Sequence, residues 1–414
     1  MQLQGIKKLI NLPGYKVTAV IKLTDKELHL KLEPYKNKTA DCVHCKGTGH
    51  RYHSQNIIVV EDLSFGDRRV FLHVTKRYYH CPMDQRIHVE QVAWLEPWAR
   101  VTKRFAYRVS QLTAITTNTE AGWYLGLDDE VVYRIDKAAL EAQAKKKLEP
   151  IPCGTHLSID EVSYQKYHKY LTIVVDADLK RVIWNAKGRK AEILDQYYQG
   201  IGPENCQKIE SVAMDGARTF ISSTTRYAVN ALIVYDRFHL SQKLNNTVDT
   251  VRKTELQKAR SNKEQPLIDM LSCNQRFILL KNSQNRTDRQ EDALAKLCEI
   301  NQPIFEAMLL KDSFLGIYAL NTSEDEIRQY LLTWLDQAAA SSLKPFQELS
   351  SKLRDKMDYI LNWFKQRISS AISEGINNKI KRLKRMAYGY KDIDYFRLKI
   401  HQHCGLLNPR LEPS

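Results

Sequence analysis

The alternation of hydrophobic and polar residues changes its period several times along this chain. Period-two alternation in the segments KVTAVIKL, ELHLKLEPY and RRVFLHVTKRYYHC predicts β strands within the first 81 residues. From about residue 100 the apolar positions recur every three or four residues, as Phe105, Val109 and Leu112 do. This period predicts three short helices, which end at a linker with Pro150, Pro152 and Gly154.

Residues 155–236 follow a third pattern, in which strands and helices alternate. The strands are predicted at HLSIDEVSY, KYLTIVVDAD, KRVIWNA, KIESVAMD and ALIVYD, with helices at KAEILDQYYQ and GARTFISSTTRYA. Residues 237–365 have only helical periodicity, and one more helix with a basic tail follows. We therefore divide the chain at 1–98, 99–150, 151–240, 241–365 and 366–414.

Composition and charge narrow the class of protein. The 414 residues are 43% hydrophobic and 27% charged, as in an ordinary globular protein. Lys and Arg number 63 against 48 Asp and Glu, and the net charge of +15 indicates a polyanionic partner, most simply nucleic acid. Eight cysteines are too few for a disulfide scaffold, and neither a signal peptide nor a membrane-spanning run is recognisable. We expect a cytoplasmic protein.

Carboxylates stand at corresponding places in the alternating region. Asp160 lies inside the first predicted strand and Asp215 ends the fourth, where a metal-dependent nuclease of the ribonuclease H type carries its first two carboxylates. Cleavage of a phosphodiester with Mg²⁺ needs hard oxygen ligands on rigid elements, with positions left for water and phosphate. A third carboxylate is expected from a helix beyond the fifth strand, and Glu374 is the best candidate.

The predicted helix around Glu374 is amphipathic. Its apolar stripe includes Ile376 and Ile380. The opposite face carries an acid, an amide and two cations, which are Glu374, Asn378, Lys381 and Arg385. Such a face suits a scissile phosphate and the DNA backbone beside it.

Several blocks of the sequence belong to one pattern. The blocks are KKLINLPGYKV, the Cys42-x-x-Cys45 pair, KRYYHC, IDEVSYQKYHKYLTIVVD, SVAMDGARTF, VYDRFHLSQKLNNTVDTVRK and SEGINNKIKRLKRMAYGYKDIDYFRLKI. With them the chain resembles the DDE transposases of bacterial insertion sequences, of the ISL-three type, over almost its whole length.

This resemblance implies a site and a reaction. Asp160, Asp215 and Glu374 become the catalytic triad, which binds two Mg²⁺ or Mn²⁺ ions, and residues 241–365 become a helical insertion. Asp236 and His239 match a D-x-x-H signature, for which a structural role near the site is favoured over metal ligation. Water attacks a phosphodiester at the end of the element, and the freed 3′-hydroxyl then attacks target DNA. The implied partners are terminal inverted repeats and target DNA, held by a homodimer or a larger oligomer.

The resemblance also implies a zinc-binding module. Cys42, Cys45 and Cys81 supply three ligands of a structural Zn²⁺ site, which normally has four. At the fourth position the family carries cysteine, but this chain has Asp84. We favour His88 or Asp84 as the fourth ligand; His50, His53 and His80 stay open, as does a knuckle without metal.

Residues 101–148 resemble a helix-turn-helix module. Tyr133, Arg134 and Lys137 on its third helix are candidates for contacts in the major groove of DNA. A purely structural helical linker is the alternative.

The sequence thus predicts an α+β multidomain protein: a β-rich zinc-binding module, a helix-turn-helix module and a ribonuclease H-like α/β domain interrupted by an all-α insertion. Its predicted function is DNA transposition. Two alternatives stay open. One is a catalytically silent, domesticated DNA-binding regulator; the other is a nuclease that acts on RNA–DNA hybrids or junctions.

Overall fold

The structure is a computed structural model that describes residues 6, 9–36, 39–95, 100–165, 169–367 and 371–409. Residues 1–146 with 407–414 form one unit, and residues 147–406 form a second. The described residues contain two five-stranded mixed sheets and 16 α helices, which confirms a mixed α and β protein. Among these helices, none has the length and apolar character that a membrane crossing requires.

The first unit begins with a sheet. Its strands are β1 (Tyr15–Leu23), β2 (Glu27–Pro34), β3 (Arg51–Phe65), β4 (Arg68–His80) and β5 (Ile87–Val89). Their order is β1-β2-β4-β3, with β5 on β4; β2 and β4 run parallel and the other neighbours antiparallel. The predicted alternation holds, because Leu30, Leu72 and Val74 point into the core. The long, mostly polar strand β3 was not predicted.

Three helices follow in the same unit, α1 (Lys103–Thr113), α2 (Asn118–Leu125) and α3 (Asp129–Lys147). The Thr102 hydroxyl caps α1 by accepting from the N–H of Phe105. Thr117 and Glu120 form a reciprocal capping box at the start of α2. Gly126 ends α2 with φ 66°, a left-handed conformation that favours glycine. Local capping thus sets the bounds of this trio.

The second unit begins with the other sheet. Its elements in chain order are β6 (His156–Gln165), β7 (Lys169–Asp176), β8 (Arg181–Lys187), α4 (Ala191–Ile201), α5 (Pro203–Cys206), β9 (Ser211–Met214), α6 (Arg218–Tyr227) and β10 (Leu232–Tyr235). The strand order is β10-β9-β6-β7-β8. Strands β6, β7 and β8 are antiparallel neighbours, whereas β9 and β10 run parallel to β6.

A helical region follows the last strand. It comprises α7 (Arg237–Asn262), α8 (Gln265–Leu271), α9 (Cys273–Leu280), α10 (Asp288–Ile300), α11 (Gln302–Ile317), α12 (Glu324–Ala340), α13 (Lys344–Arg354) and α14 (Met357–Lys365). These helices share one apolar core, which includes Leu244, Phe314, Trp334 and Phe346. The predicted absence of strands from 237 to 365 holds for the residues that are described.

Two last helices, α15 (Ala371–Met386) and α16 (Ile393–Cys404), return to the sheet. Ile376, Ile380 and Phe396 pack against Ile173 and Val175 on one face. The other face packs against α4 and α6. The sheet is therefore covered on both sides, which explains the nearly continuous apolar run of β7.

Candidate active site and candidate metal centre

The strand register brings acidic residues to one edge of the second sheet. Ser158 on β6 pairs with Ala213 on β9, so Asp160 and Asp215 stand two residues further along on neighbouring parallel strands. The register between β9 and β10 carries Asp236 to the same edge. Neighbouring strands lie only about 4.8 Å apart. Side chains that are far apart in sequence therefore meet at this edge.

Asp160 is held by groups from three elements. Its side chain is buried, and Oδ1 accepts the N–H of Glu161 at 2.7 Å. Its Oδ2 accepts from the side-chain amide of Asn377 on α15 at 2.5 Å and lies 3.4 Å from Nε2 of His239 on α7. Asn377 was missed in the sequence, although it shares a helix face with Ile380 and Ser373.

Helix α15 is fastened to β6 next to Glu374. The hydroxyls of Ser373 and Ser158 lie 2.5 Å apart in the interior. Glu374 is half-buried in the first turn of α15, between Ser373 and Asn377 in sequence. The helix that carries the predicted third carboxylate is thus anchored on the strand that carries the first.

The outer face of α15 carries the other predicted residues. Asn378, Lys381 and Arg385 are exposed, whereas Ile376 and Ile380 are buried. The amphipathic pattern of this helix is as predicted from the sequence.

The negative charge at the strand edge shifts the pKa values of its neighbours. Burial raises the pKa of Glu161, and the charges of Asp215 and Asp160 raise it further against the opposing Arg189, 3.8 Å away. Burial lowers the pKa of His239, but its hydrogen bond to Asp160 and the nearby carboxylates outweigh burial and raise it. This surplus of oxygen ligands and negative charge fits a divalent cation.

The three predicted carboxylates do not form a closed ligand cluster. Among the described residues, two groups of three or more His, Cys, Asp or Glu side chains have all their ligand atoms within 4.8 Å, and both belong to the first unit. Asp160, Asp215 and Glu374, which lie on or next to β6, β9 and α15, are in neither group.

Two lysines that were not predicted support the turn after β9. Lys243 on α7 donates to the carbonyl oxygen of Asp215 at 3.3 Å and to the hydroxyl of Tyr235. Lys356 donates to the carbonyl oxygen of Gly216 at 2.5 Å. Gly216 has φ 76°, and a Cβ there would lie 2.8 Å from the Tyr235 ring, so glycine is required.

Asp236 has a clear local role. Its side chain accepts the N–H of Phe238 at 2.8 Å and so caps α7. His239, one turn into α7, lies 3.8 Å from the same carboxylate. The D-x-x-H pair thus begins the helix that delivers His239 to Asp160.

In the first unit, two turns of the same form meet at the cysteines. Cys42 N–H donates to Gly47 and Cys81 N–H to Arg86, while Lys46 and Gln85 donate back to the respective cysteine carbonyls. Lys46 and Gln85 are both left-handed, with φ 61° and 60°. The two turns present one thiol each at equivalent positions, and Cys45 adds a third from the first turn.

His50 completes this group. Ligand atoms of Cys42, Cys45, His50 and Cys81 all lie within 4.8 Å of one another, and Cys45 Sγ is 2.9 Å from His50 Nε2. Three thiols and one imidazole are a donor set that structural zinc sites use, so the group is a candidate for zinc. Gly47 leaves room, since a Cβ there would lie 3.1–3.4 Å from the His50 ring and Cys45 Sγ.

The structure groups His50, rather than the predicted His88 or Asp84, with the three cysteines. Asp84 stands in the second turn where Cys45 stands in the first, but its Oδ2 is 2.7 Å from His88 Nε2. That hydrogen bond lowers the pKa of Asp84 to about 2. The His44 ring stacks on the His88 ring. Ligand atoms of His44, Cys81 and Asp84 lie within 4.8 Å of one another. His88 and Asp84 pair with each other, and among the candidates for the fourth ligand only His50 lies within 4.8 Å of all three thiols in the described residues; His53 and His80 belong to neither group.

The candidate DNA-reading residues lie on one stretch of α3. Arg134 is exposed, and Tyr133 and Lys137 are half-buried. Lys137 Nζ is 5.9 Å from the centre of the Tyr133 ring and 4.0 Å from Glu141. Arg134 is thus the exposed cation on this face, with Lys137 and the Tyr133 ring beside it in sequence.

The sequence comparisons address the family. Residues 157–400, more than half of the chain, match the family model of the ISL-three type, which is described as "Transposase". The chain belongs to this transposase family. The predicted resemblance is thereby confirmed, and membership identifies the chain as a DNA-cutting enzyme in general with DNA as its partner.

This transposase is also similar to two relatives over more of its length than residues 157–400. It is 31% identical to the transposase for insertion sequence element IS1001 of Bordetella parapertussis over 383 residues, which cover 89% of this chain and 90% of the relative. It is 25% identical to the transposase for insertion sequence element IS1557 of Mycobacterium tuberculosis over 347 residues, 80% and 77% of the two chains. Both alignments are longer than the family match.

Proposed function

We propose that this transposase binds the terminal inverted repeats of its own element and catalyses metal-dependent DNA cleavage and strand transfer by the two-metal DDE mechanism. The observation that carries the proposal is the strand register, which sets Asp160 and Asp215 side by side, with the helix of Glu374 anchored on β6. A sheet of order β10-β9-β6-β7-β8 with three antiparallel strands is the arrangement of a ribonuclease H-like domain. The region 241–365 then interrupts that domain before its last catalytic helix.

The reaction needs little covalent chemistry from the protein. Asp160, Asp215 and Glu374 would hold two Mg²⁺ or Mn²⁺ ions, which when bound activate the attacking oxygen and stabilise the leaving oxygen. Asn377 and His239 orient Asp160. Catalysis is then mainly positioning and charge stabilisation.

The remaining elements serve DNA binding. Zn²⁺ at Cys42, Cys45, His50 and Cys81 would join the two turns of the first unit. Tyr133, Arg134 and Lys137 would read the terminal repeats as part of a helix-turn-helix module. Asn378, Lys381 and Arg385 would contact the backbone beside the cut. A dimer or larger oligomer would hold two ends together in the cytoplasm.

Cleavage of a plasmid that carries the DNA flanking the gene tests this function. Purified wild-type protein with Mg²⁺ should nick or break the plasmid at both flanks, whereas Asp215→Ala should bind the flanks without cutting. Cutting by Asp215→Ala would remove Asp215 from the site. Binding without cutting by the wild type, in Mg²⁺ and Mn²⁺ alike, would favour a DNA-binding regulator.

A further inference from the structure

A long groove opens beside Asp215 in the second unit. Its volume is about 1250 Å³, and its floor follows one face of α7 from Lys243 to Lys258. Fifteen residues of helix rise about 22 Å, which matches about six stacked nucleotides at roughly 3.4 Å each. The groove begins at Tyr235, Lys243 and Lys356, the residues that support the turn after Asp215.

The groove is too narrow for duplex DNA. Its volume spread over that length corresponds to a mean width of about 8 Å, whereas the major groove of a duplex alone is about 12 Å wide. One strand with its bases fits such a channel.

Basic residues outnumber acidic ones along the groove. The basic residues are Arg218, Lys243, Lys258, Lys344, Lys352 and Lys356, and the acidic ones are Glu255, Glu348 and Asp355. Glu255 is already bonded to Lys258 and Asn301. In the described part of the chain, no carboxylate oxygen lies within 4.0 Å of the Lys243, Lys352 or Lys356 amino groups.

The positive charges at the Asp215 end also repel one another. Lys243, Lys352 and Lys356 all line this end of the groove. Bringing like charges together costs free energy, which a bound polyanion removes.

The two walls differ in chemistry. On α7, Thr247, Thr250 and Thr254 donate to carbonyl oxygens one turn back, which leaves the Asn246 amide and the cations as donors for phosphate oxygens. On the opposite wall Tyr359 is half-buried, whereas Leu343 and Leu349 are buried. A cationic track beside apolar and aromatic surface is how proteins bind single strands, with phosphates on one side and bases on the other.

We infer that this groove binds one unpaired strand of the DNA substrate, which runs from the carboxylate edge at Asp215 along α7. Its phosphates contact Lys243, Lys344, Lys352 and Lys356, and its bases stack against Tyr359. The inference rests on the proposed function and adds to it that the duplex opens beside the cut. The helical region thereby becomes part of the substrate site.

A pair of charge reversals tests the groove. The full-length double variant Lys344→Glu with Lys352→Glu is compared with the control Arg289→Glu with Lys296→Glu, which makes the same change in net charge on exposed residues of α10, outside the groove. The probe is a fluorescein-labelled single-stranded oligonucleotide, with its blunt duplex as the second probe, titrated between about 50 and 200 mM salt. Circular dichroism and thermal melting establish that both variants are folded.

We expect the groove variant to bind the single strand at least about tenfold more weakly, with a salt slope reduced by about 0.7 for each phosphate that the variant no longer neutralises. The control should change by less than about twofold, and neither variant should lose affinity for the duplex. Equal loss on both probes would mean that a duplex surface, not a single-strand groove, was altered. Unchanged affinity of the groove variant for the single strand would overturn the inference.

Plasmid cleavage by the wild type separates this inference from the proposed function. If the wild type cuts and the groove variant keeps its affinity for the single strand, the groove assignment alone is wrong. If the wild type cuts at neither flank in Mg²⁺ or Mn²⁺, the proposed function is wrong. A groove variant that then binds the single strand more weakly would still show a single-strand site, without a catalytic role. A groove variant with unchanged affinity for the single strand would show that the groove is not a binding site.

Discussion

The two predicted metal sites of this chain differ in how completely the protein assembles them. The thiol and imidazole ligands come from residues 42–81, and all four lie within 4.8 Å of one another. The carboxylates come from residues 160, 215 and 374, and Asp160, Asp215 and Glu374 form no such cluster among the described residues. The candidate zinc site is therefore closed, whereas the candidate catalytic site is open.

Charge explains part of this difference. Neighbouring carboxylates repel one another, and burial together with the charges of Asp215 and Asp160 raises the pKa of Glu161. Thiols and imidazoles can be neutral and therefore approach closely. At Cys42, burial raises the pKa of the thiol, but the N–H groups of Cys45 and His44 outweigh it and lower the pKa, which favours the thiolate that binds zinc.

Glutamine substitutions at Glu374 and Glu161 should give the largest effect and test which acid completes the open site. Glu374→Gln removes a charged ligand, so we expect DNA cleavage to fall on the order of a thousandfold. The matched control Glu161→Gln should lose less than about tenfold, since Glu161 is held by Arg189. The rate of plasmid nicking in Mg²⁺ provides the measurement. If Glu161→Gln lowers that rate more than Glu374→Gln does, Glu161 and not Glu374 is the third acid of the site.

Alanine substitutions at His50 and His88 test the closed site. His50→Ala should lower zinc affinity by well over about 100-fold and lower the melting temperature of the first unit, because a structural zinc ion contributes directly to folding. His88→Ala should keep its zinc. Metal content after dialysis against a chelator and thermal melting measure both. If His88→Ala loses zinc and His50→Ala keeps it, the fourth ligand is His88, one of the two residues favoured from the sequence.

Asn377 provides a smaller effect at the open site. Asn377→Ala removes the amide that holds Asp160 Oδ2, and we expect a loss of about 10- to 100-fold in cleavage rate with binding retained. The neighbour Asn378 is exposed, so Asn378→Ala should weaken DNA binding slightly and leave the rate at saturating DNA unchanged. Equal rates for the two variants would show that Asp160 does not need this support.

The smallest effect concerns Lys311, which is fully buried in the helical region. Its amino group donates to the carbonyl oxygens of Leu279 and Lys281, and burial lowers its pKa to about 8. Between about pH 8 and 10.4 the unfolded chain binds one proton more than the folded chain at this site, so the stability contribution of Lys311 rises with pH, by at most about 1.4 kcal/mol for each unit of pKa difference.

The variant Lys311→Met isolates that contribution. Chemical denaturation at several pH values gives the free energy of unfolding of both proteins. The difference between wild type and Lys311→Met should shift in favour of the wild type as the pH rises over this window. A difference that stays constant with pH would mean that Lys311 keeps its ordinary pKa in the folded protein.

Much of the second sheet could be predicted because its signals are local. The five strands, the positions of Asp160 and Asp215 at corresponding strand positions, and the amphipathic face of α15 all follow from short-range patterns. The long strand β3 could not be predicted, because most of its side chains are polar and exposed and it has no alternating apolar face.

The sequence by itself determined the period of each element, the acids at the strand ends, the pattern of cysteines and the family. The tertiary structure alone decided which distant side chains meet, such as Asn377 with Asp160, Lys356 with Gly216, and His50 with Cys81. Periodicity and capping act within a few residues of one element. Contacts between residues of different elements depend instead on strand register and helix packing. Several polar side chains could occupy the same position by sequence alone, and only the packed geometry decides which one does.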